Sequence, residues 1–279
     1  MKQWRFIFTG ANDAFFNMAL DEAILQSCQG GDAIPTFRLY LWSPPGVSIG
    51  YFQSFEKTVD FNRCKERNIQ VVRRLTGGRA VLHENEITYS ICASVEKYPE
   101  LGEDINQTYQ KISFALLESL RSLEISAEWV KPDRERTLPT GFNFSKPCFI
   151  SNSRYEITVE GKKLIGSAQR RGKNSFIQHG SIPLGKGKVS LSDLLCEENN
   201  GEKMRERLED KSTDLEKILK REVEHQEVIS ALKKGFSNFF DVEMVEKQPT
   251  QKEIQTAQVL TQKKYSTEEW NFRKKYLPT

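Results

Sequence analysis

Hydrophobic and polar residues alternate in short stretches of the chain, and these are separated by stretches with helical spacing. Residues 4–8 and 36–42 alternate as β-strands do, because successive side chains of a strand point to opposite faces. Between them, Asp13 is a typical N-cap residue and precedes an apolar helical stripe. The pattern predicts a strand, a helix and a second strand. The stripe consists of Phe16, Leu20 and Ile24.

The alternation resumes after a break that contains proline and glycine at residues 44–46. Residues 69–74 and 79–83 are predicted strands on either side of a turn, and residues 86–95 form a longer strand with one apolar face. Cys92 lies on the other face of that strand and is predicted to have no chemical role. The apolar face carries Ile87, Tyr89, Ile91 and Ala93.

The second half of the chain predicts two amphipathic helices and a hairpin. Residues 104–123 carry an apolar stripe, and a second stripe follows the charged, solvated segment 197–227. Residues 131–147 are predicted to form a loop that leads to Cys148, and the hairpin after it turns at Glu160–Gly161. The stripes are Ile105, Tyr109, Ile112, Leu116 and Leu120, then Ile229, Leu232, Phe236 and Phe239.

Strands and helices follow one another without a regular βα alternation. This order favours an α+β fold with a mixed, largely antiparallel β-sheet packed against helices. Residues 1–250 are predicted to form one domain, and the polar residues 251–279 a tail or small helix.

Composition narrows the class of protein. Hydrophobic residues make up 38% and charged residues 28% of the chain, as in ordinary soluble proteins. No apolar run approaches the roughly 18 residues that cross a bilayer, and the N-terminus lacks the apolar stretch of a signal peptide. We therefore expect a cytoplasmic protein without a membrane partner. A net charge of +3 does not indicate nucleic acid binding.

The cysteines and histidines do not form a recognisable metal or disulfide pattern. The 5 cysteines are scattered without a Cys-x-x-Cys pair, and the 3 histidines lie far apart. We expect no metal, no disulfide framework and no bound cofactor. Cys28, Cys64 and Cys196 have no motif around them and are predicted to be structural, and His225 is predicted to be exposed.

Residues 71–90 form the most informative stretch apart from the cysteines. Gly77 and Gly78 allow a sharp turn after a strand, and their amides are suited to hold a phosphate or an acyl carbonyl. Arg73, Arg74 and Arg79 lie beside them in sequence and supply positive charge. The pattern is equally compatible with a Gly-Gly hairpin turn and incidental arginines, because short glycine motifs are weak evidence.

Two interpretations are also possible for Cys148, which follows a proline and lies 15 residues before Lys163. A free cysteine is more often a buried small hydrophobe than a nucleophile. The residues alone leave both interpretations open.

Several motifs resemble the biotin/lipoate protein ligase superfamily and occur in its usual order. Residues 73–83, "RRLTGGRAVLH", carry the resemblance most clearly, and further motifs extend it over nearly the whole chain. The resemblance implies an α+β fold with a mixed sheet, in which the helix at residues 14–26 is scaffold. The further motifs are residues 16–25, 48–53, 87–90, 161–171, 178–184 and 268–271.

Within that superfamily the chain is most similar to the cysteine-dependent octanoyltransferase branch. The similarity lies in the length, in "GGRAVLH", in "CF" before a Tyr-Glu strand, and in "GKKLIGSAQ". It implies that Cys148 takes octanoate as a thioester and that Lys163 lowers the pKa of its thiol. Residues 150–153, "ISNS", depart from the small or proline residues that often follow "CF" in this branch.

The resemblance also implies the substrates and the binding residues. The octanoyl donor would be octanoyl-acyl carrier protein, and the acceptor a lysine of a lipoyl-domain protein such as glycine cleavage H protein. No ATP would be needed, and we expect a monomer. Because such partners are acidic, Arg170 and Arg171 are candidates for a docking surface. The candidate substrate-binding residues are Arg73, Arg74, Gly77, Gly78, Arg79, His83, Gly166, Ser167, Ala168, His179 and Gly180.

Three other activities remain open from the sequence. An ATP-dependent lipoate-protein ligase would use Lys163 to contact an acyl-adenylate, with Cys148 incidental. An amidotransferase between lipoyl domains would also use a cysteine. A non-catalytic lipoyl-binding protein would bind octanoate without turnover.

Overall fold

The computed structural model describes residues 1–31, 33–130, 156–196 and 202–272. Cys148, the predicted loop 131–147 and residues 150–153 lie outside the described residues. The described strands are β1 (Lys2–Asn12), β2 (Thr36–Trp42), β3 (Gly46–Ile49), β4 (Gln70–Arg73), β5 (Val81–His83), β6 (Glu86–Ser94), β7 (Glu128–Val130), β8 (Glu156–Val159), β9 (Lys162–Arg171), β10 (Ser175–Pro183) and β11 (Val242–Glu246).

Two sheets are built from these strands. The larger sheet has the order β11-β1-β2-β6-β10-β9-β8-β7, and the smaller has the order β4-β3-β5. In the larger sheet β1 is parallel to β2 and to β11, and the remaining neighbours are antiparallel. The predicted mixed, largely antiparallel sheet is therefore confirmed.

Helices lie on both faces of the larger sheet. Asp13 caps α1 as the sequence predicts, because it accepts the Phe16 N–H, and Asp104 caps α3 by accepting the Asn106 and Gln107 N–H groups. The helices are α1 (Ala14–Gln29), α2 (Phe61–Glu66), α3 (Ile105–Arg121), α4 (Glu202–Lys211), α5 (Leu215–Leu219), α6 (His225–Phe240), α7 (Gln251–Leu260) and α8 (Glu268–Asn271).

One face of the larger sheet packs against α3 and α6. The apolar face of β6 is buried there, as its alternation predicts. The two helices pack closely because α6 has Gly235 at their contact, where a Cβ atom would lie 2.2 Å from the Ser119 Oγ of α3. The side chains that meet include Ile87, Tyr89, Ile91, Leu116, Leu232 and Phe236.

The other face packs against α1, the smaller sheet and the C-terminal helices. Helix α7 is held to β1 by Arg5, whose guanidinium donates to both carboxylate oxygens of Glu253 at 2.8 and 2.6 Å. Trp270 of α8 is buried and donates its indole N–H to the Arg73 carbonyl at 2.9 Å. Residues 251–272 thus contribute to the core, and the division of the chain at residue 250 remains a prediction.

The predicted hairpin between β8 and β9 is confirmed. Glu160 and Gly161 form its two-residue turn, with φ angles of 49° and 75°. Positive φ at both positions is the type I′ geometry that matches the twist of the flanking strands. Among the described helices, none combines the length and apolar composition that crossing a membrane requires.

Candidate active site

A cleft opens between the two sheets, with about 380 Å³ of space including the part that faces solvent. The larger sheet contributes Tyr40, Trp42, Thr88, His179 and Ser181, the smaller sheet contributes Ser48, Val81 and His83, and Met18 comes from α1.

The cleft collects seven of the predicted binding residues. Arg74, His83, Gly166, Ser167, Ala168, His179 and Gly180 line it. Gly77 and Gly78 form the adjacent turn, and a Cβ atom at Gly78 would lie 3.7 Å from the Ala168 Cβ. Ligand contact by any of these residues remains a prediction.

Arg74 organises the glycine turn. Its guanidinium donates to the Gly77 and Arg79 carbonyls, both at 2.8 Å, and to the Ser48 carbonyl at 2.9 Å. The turn also needs glycine at position 50, because a Cβ atom there would lie 2.0 Å from the Gly78 carbonyl oxygen. These bonds fix the turn beside the cleft.

Arg73 has a different environment from its neighbour. Its side chain is fully buried, and its guanidinium donates to the Gly50, Tyr51 and Gln53 carbonyls at 2.7 to 3.0 Å and to the Asn271 carbonyl at 2.6 Å. Burial lowers the pKa of Arg73 to about 10. Arg73 therefore joins α8 to the loop before the cleft.

His83 lies in a chain of hydrogen bonds at the cleft wall. Its Nδ1 is 2.7 Å from the Glu86 carboxylate and its Nε2 is 2.7 Å from the Ser48 hydroxyl. In the neutral imidazole, the nitrogen that faces the carboxylate carries the proton, so Nε2 accepts from Ser48. The ring is fixed further by stacking on Trp42, whose indole N–H donates to the Thr88 hydroxyl at 2.7 Å.

His179 forms a second chain of the same kind. Its Nε2 is 2.6 Å from the Thr76 hydroxyl and its Nδ1 is 3.4 Å from the Asp21 carboxylate. Burial lowers the pKa of His179, although Asp21 opposes the shift. Burial alone would raise the pKa of Asp21, but Arg38 and His179 outweigh it and lower that pKa. The imidazole is therefore neutral beside an ionised carboxylate.

The Arg74 guanidinium joins the two chains of hydrogen bonds. It donates from Nη1 to the Ser48 hydroxyl at 3.1 Å and from Nε to the Thr76 hydroxyl at 3.2 Å. The Ser48 hydroxyl is hydrogen-bonded to His83, which contacts the Glu86 carboxylate. The Thr76 hydroxyl is hydrogen-bonded to His179, which contacts the Asp21 carboxylate. One buried cation thus orients both histidines of the cleft.

The pairing of β10 with β9 defines the cleft face of β9. His179 and Ser181 line the cleft, and they lie opposite Ala168 and Gly166. Directly paired residues point to the same face of a sheet. Ala168 and Gly166 therefore mark the cleft face of β9.

A β-bulge decides the direction of Lys163. Ile165 pairs with Ile157, but the next pair is Lys163 with Thr158, so Leu164 is an extra residue in β9. Ile157 and Ile165 are buried on the α3 side of the sheet. The bulge therefore places Lys163 on the same face of the sheet as Thr158, which is the face opposite to α3. Without the bulge, strict alternation from Ile165 would place Leu164 on that face and Lys163 on the α3 side.

Lys163 is almost fully buried on this face of the sheet. Its side chain is 3% exposed, and its Nζ lies 2.8 Å from a carboxylate oxygen of Glu156. Its carbonyl accepts the Thr213 N–H at 3.0 Å. Both the main chain and the side chain of Lys163 are thus held in place.

Three of the four described cysteines differ from a reactive thiol. Cys28, Cys64 and Cys92 are buried, and burial raises the pKa of Cys28 and Cys64 to about 12 and that of Cys92 well above its usual value. A thiol with so high a pKa is a poor nucleophile at neutral pH. Cys92 lies in β6, as predicted.

The sequence reasoning overlooked several residues at this site, namely Met18, Asp21, Trp42, Ser48, Thr76 and Glu86. The polar positions of β6 give a signal for the last of these. Glu86 begins the run in which Thr88 and Ser90 alternate with apolar residues, and Thr88 of this polar face lines the cleft. Across residues 1–31, 33–130, 156–196 and 202–272, no group of three or more His, Cys, Asp or Glu side chains is arranged to hold a metal ion.

Comparison with known proteins adds to this geometry. Residues 13–237 match the model of the lipoyl protein ligase A/B catalytic domain. Octanoyltransferase LipM of Brevibacillus brevis is 40% identical over 280 aligned positions, which cover 98% of this chain and 100% of the relative. Octanoyltransferase LipM of Bacillus subtilis is 36% identical, with 97% and 98% covered.

Solved structures with the same fold include lipoate-protein ligases. Lipoate-protein ligase A bound with ATP is 29% identical with a TM-score of 0.79, covering 98% of this chain and 99% of the other. The bipartite lipoate protein ligase of Thermoplasma acidophilum, studied with its E2 lipoyl domain, is 26% identical with a TM-score of 0.81 over 100% of both chains.

Proposed function

The chain belongs to the family of lipoyl protein ligase A/B catalytic domains, and we propose that within this family it is an octanoyltransferase of lipoate biosynthesis. The similarity to LipM octanoyltransferases over almost the full length of both chains carries the proposal. The match of Cys148 and Lys163 to the motifs of the octanoyltransferase branch also supports it, because a cation beside a thiol favours the thiolate. Cys148 is the proposed nucleophile.

The proposed reaction has two steps. The Cys148 thiolate attacks the thioester carbonyl of octanoyl-acyl carrier protein, so that a new C–S bond forms and the C–S bond to the carrier breaks. The carrier leaves as a thiolate and takes up the proton that the Cys148 thiol released on ionisation. A lysine amine of the acceptor then attacks the Cys148 thioester, so that a C–N bond forms, the C–S bond breaks, and the lysine proton passes to the departing thiolate. Exchange between thioesters is nearly balanced, and formation of the amide drives the cycle.

The cleft is suited to an apolar acyl chain. Met18, Trp42 and Val81 give it apolar walls. Octanoate has seven apolar carbons beyond its carbonyl, and burying them at ~0.8 kcal/mol each contributes roughly 5 kcal/mol. The polar ends of the walls, at His83 and His179, are already hydrogen-bonded within the protein.

Transfer to the acceptor tests the proposal. Purified protein, octanoyl-acyl carrier protein and a lipoyl-domain protein such as glycine cleavage H protein are mixed without ATP, and the acceptor is analysed by mass spectrometry. We expect an octanoyl adduct on one acceptor lysine with wild type and none with Cys148→Ala. An unmodified acceptor with the wild-type protein would refute octanoyl transfer to that acceptor.

The ligase fold makes ATP-dependent ligation the second candidate. The structural relative with bound ATP is a lipoate-protein ligase and is 29% identical. Free octanoate or lipoate with ATP replaces the carrier-bound donor in a parallel reaction. A product that requires ATP and survives Cys148→Ala would assign the chain to the ligases. A product made from an octanoylated lipoyl domain would instead assign it to the amidotransferases.

A further inference from the structure

Helix α8 and the end of β4 hold one another through side chains and main chains. The Asn271 side-chain oxygen accepts the Arg73 N–H at 2.7 Å, and the Trp270 indole N–H donates to the Arg73 carbonyl at 2.9 Å. In return, the Arg73 guanidinium donates to the Trp270 carbonyl at 3.1 Å and to the Asn271 carbonyl at 2.6 Å. These reciprocal hydrogen bonds, the α8 clasp, join segments that lie 198 residues apart in the chain.

The same guanidinium also holds the loop formed by residues 50–53. Its Nη1 donates to the Gly50 and Tyr51 carbonyls at 3.0 Å and to the Gln53 carbonyl at 2.7 Å. Among the described residues, its acceptors are main-chain carbonyls of α8 and of this loop. Arg73 thus fixes the position of the loop relative to α8.

Loop 50–53 contacts the glycine turn beside the cleft. The Tyr51 N–H donates to the Thr76 carbonyl at 2.8 Å. Gly50 lies so close to the turn that a Cβ atom there would be 2.0 Å from the Gly78 carbonyl oxygen. The position of the turn therefore depends on α8 through Arg73 and this loop.

Asn271 uses both ends of its side-chain amide. Its Nδ2 donates to the Tyr265 carbonyl at 2.6 Å and to the Thr267 carbonyl at 3.0 Å, while its Oδ1 accepts from Arg73. The residue is 4% exposed. A buried amide with donors and acceptor all bonded is held in one orientation. Asn271 therefore fixes both the end of α8 and the main chain of Arg73.

Stability alone does not explain a buried arginine among neutral acceptors. Moving a charge out of water is costly, and a well-packed apolar residue is often as stable or more stable at a buried site. Burial lowers the pKa of Arg73 to about 10, which reflects that cost. An apolar residue would not supply the fixed geometry between α8 and loop 50–53.

We propose that Asn271 and Trp270 are positioning residues for octanoyl transfer: through Arg73 they hold the loop, and with it the glycine turn, at the wall of the cleft. This inference rests on the proposed function, in which the acyl group lies in the cleft. Both side chains act through Arg73 and not on the acyl group itself. The proposal gives a role to residues 268–271, a motif that lies beyond residues 13–237, which match the family model.

The test compares Asn271→Leu with wild type in acylation by octanoyl-acyl carrier protein. The substitution keeps a similar side-chain volume and removes the hydrogen bonds at both ends of the amide. We expect kcat per folded molecule to fall about 10- to 100-fold, because a displaced turn misplaces the acyl group. Trp270→Phe removes one hydrogen bond and keeps most of the ring packing, so it covers the case in which Asn271→Leu does not fold and should show a smaller loss. A wild-type kcat in the folded variants would overturn the proposal.

Phe236→Leu is the control for a general loss of stability. Phe236 is fully buried in the core formed with α3 and α6, on the opposite face of the larger sheet from α8. Its replacement leaves a cavity there and lowers the free energy of unfolding. Urea unfolding gives the folded fraction of each variant, and we expect Phe236→Leu to keep the wild-type kcat per folded molecule. An equal fall of kcat in Phe236→Leu would assign the effect of Asn271 to stability and refute positioning.

Amide hydrogen exchange of the protein without substrate gives a readout that is independent of activity. In Asn271→Leu we expect the exchange rate of the Tyr51 amide to rise about tenfold more than the rates in β6, because its bond to the Thr76 carbonyl depends on the held loop. Strand β6 lies inside the larger sheet and reports global opening. An equal rise in both places, or no rise at Tyr51, would contradict the proposal.

A double variant shows whether α8 acts through the glycine turn. Gly50→Ala by itself displaces the turn, so Asn271→Leu should have little further effect on kcat in that background. Additive losses of kcat would show that Asn271 acts by another route.

Failure of the function and failure of this inference have different signatures. If wild type is not acylated by octanoyl-acyl carrier protein, the proposed function fails, while the exchange rates still test the link from α8 to the loop. If wild type is acylated and Asn271→Leu keeps the wild-type kcat and the wild-type exchange at Tyr51, the function stands and the role of Asn271 is refuted.

Discussion

The indole of Trp42 stacks on the imidazole of His83, with the ring centroids 4.0 Å apart and the planes 7° from parallel. The two rings come from different sheets and meet in the wall of the cleft. His83 is fixed at both nitrogens by Glu86 and Ser48, so the indole is packed against a rigid partner. Trp42 is therefore well placed to limit the depth of the cleft.

Replacing Trp42 should change the preferred length of the acyl chain. Trp42→Leu removes the stacked ring and enlarges the cleft, so a longer chain can be buried. Two more buried methylenes at ~0.8 kcal/mol each correspond to about a tenfold rise in the preference for decanoyl over octanoyl donors. The ratio of kcat/KM for the two donors measures this. Phe239→Leu, on the exposed side of α6, is the control and should leave the ratio unchanged. An unchanged ratio in Trp42→Leu would show that the Trp42 ring does not limit the length of the acyl chain.

The glycine at position 50 should be required for activity more than for folding. Gly50→Ala places a methyl group 2.0 Å from the Gly78 carbonyl oxygen and forces the turn beside the cleft to move. We expect acylation to slow about 10- to 100-fold. Gly172→Ala is the control, because its nearest atom would be 3.5 Å away, an ordinary contact. Equal acylation rates in the two variants would argue against a role for the turn.

The buried His179 should make the stability of the protein depend on pH. Its pKa in the folded protein lies below the ordinary value of 6.5, so the unfolded chain binds the proton more readily. The contribution of the neutral ring is thus fully present above pH 6.5 and declines as the pH falls below it. The free energy of unfolding, measured with urea from pH 7 to pH 5, should fall less steeply in His179→Asn. An equally steep fall would assign the effect to other groups.

The two adjacent arginines predicted to dock partners should behave differently. Arg171 donates to the Thr108 hydroxyl and to the Gly102 and Glu103 carbonyls at 2.8 to 2.9 Å, whereas Arg170 is exposed beside the ring of Tyr51. Charge reversal at Arg170 should therefore weaken the docking of an acidic partner without disturbing the fold.

In Arg170→Glu we expect KM for octanoyl-acyl carrier protein to rise about fivefold, which corresponds to ~1 kcal/mol, at low ionic strength. KM for a small octanoyl thioester should stay the same. Arg121→Glu, an exposed charge reversal on α3, serves as control. A similar KM change for the small thioester would exclude docking as the cause.

Local patterns predicted much of this fold. Asp13, the alternation in β6 and the turn at Glu160–Gly161 each specify their structure through nearby residues, and all three predictions were confirmed. The mixed sheet and the family also followed from the sequence, the latter from motifs spread along the whole chain.

The remaining features depend on contacts between distant segments. The bulge at Leu164 is a matter of register between strands, and neither side of the hairpin shows it alone. The stacking of Trp42 on His83 joins two sheets. Arg74 was predicted from its charge, but its observed bonds to carbonyls arise from the path of the turn around it. Such features need the tertiary structure.

The central claim is that Cys148 carries the octanoyl group, and the mass of the intact protein tests it most directly. Wild type and Cys148→Ala are each mixed with octanoyl-acyl carrier protein in the absence of ATP. We predict a single octanoyl adduct on wild type that hydroxylamine removes, and no adduct on the variant. An adduct that persists in Cys148→Ala, or its absence from a wild-type protein that modifies its acceptor only with ATP and free acid, would contradict the account.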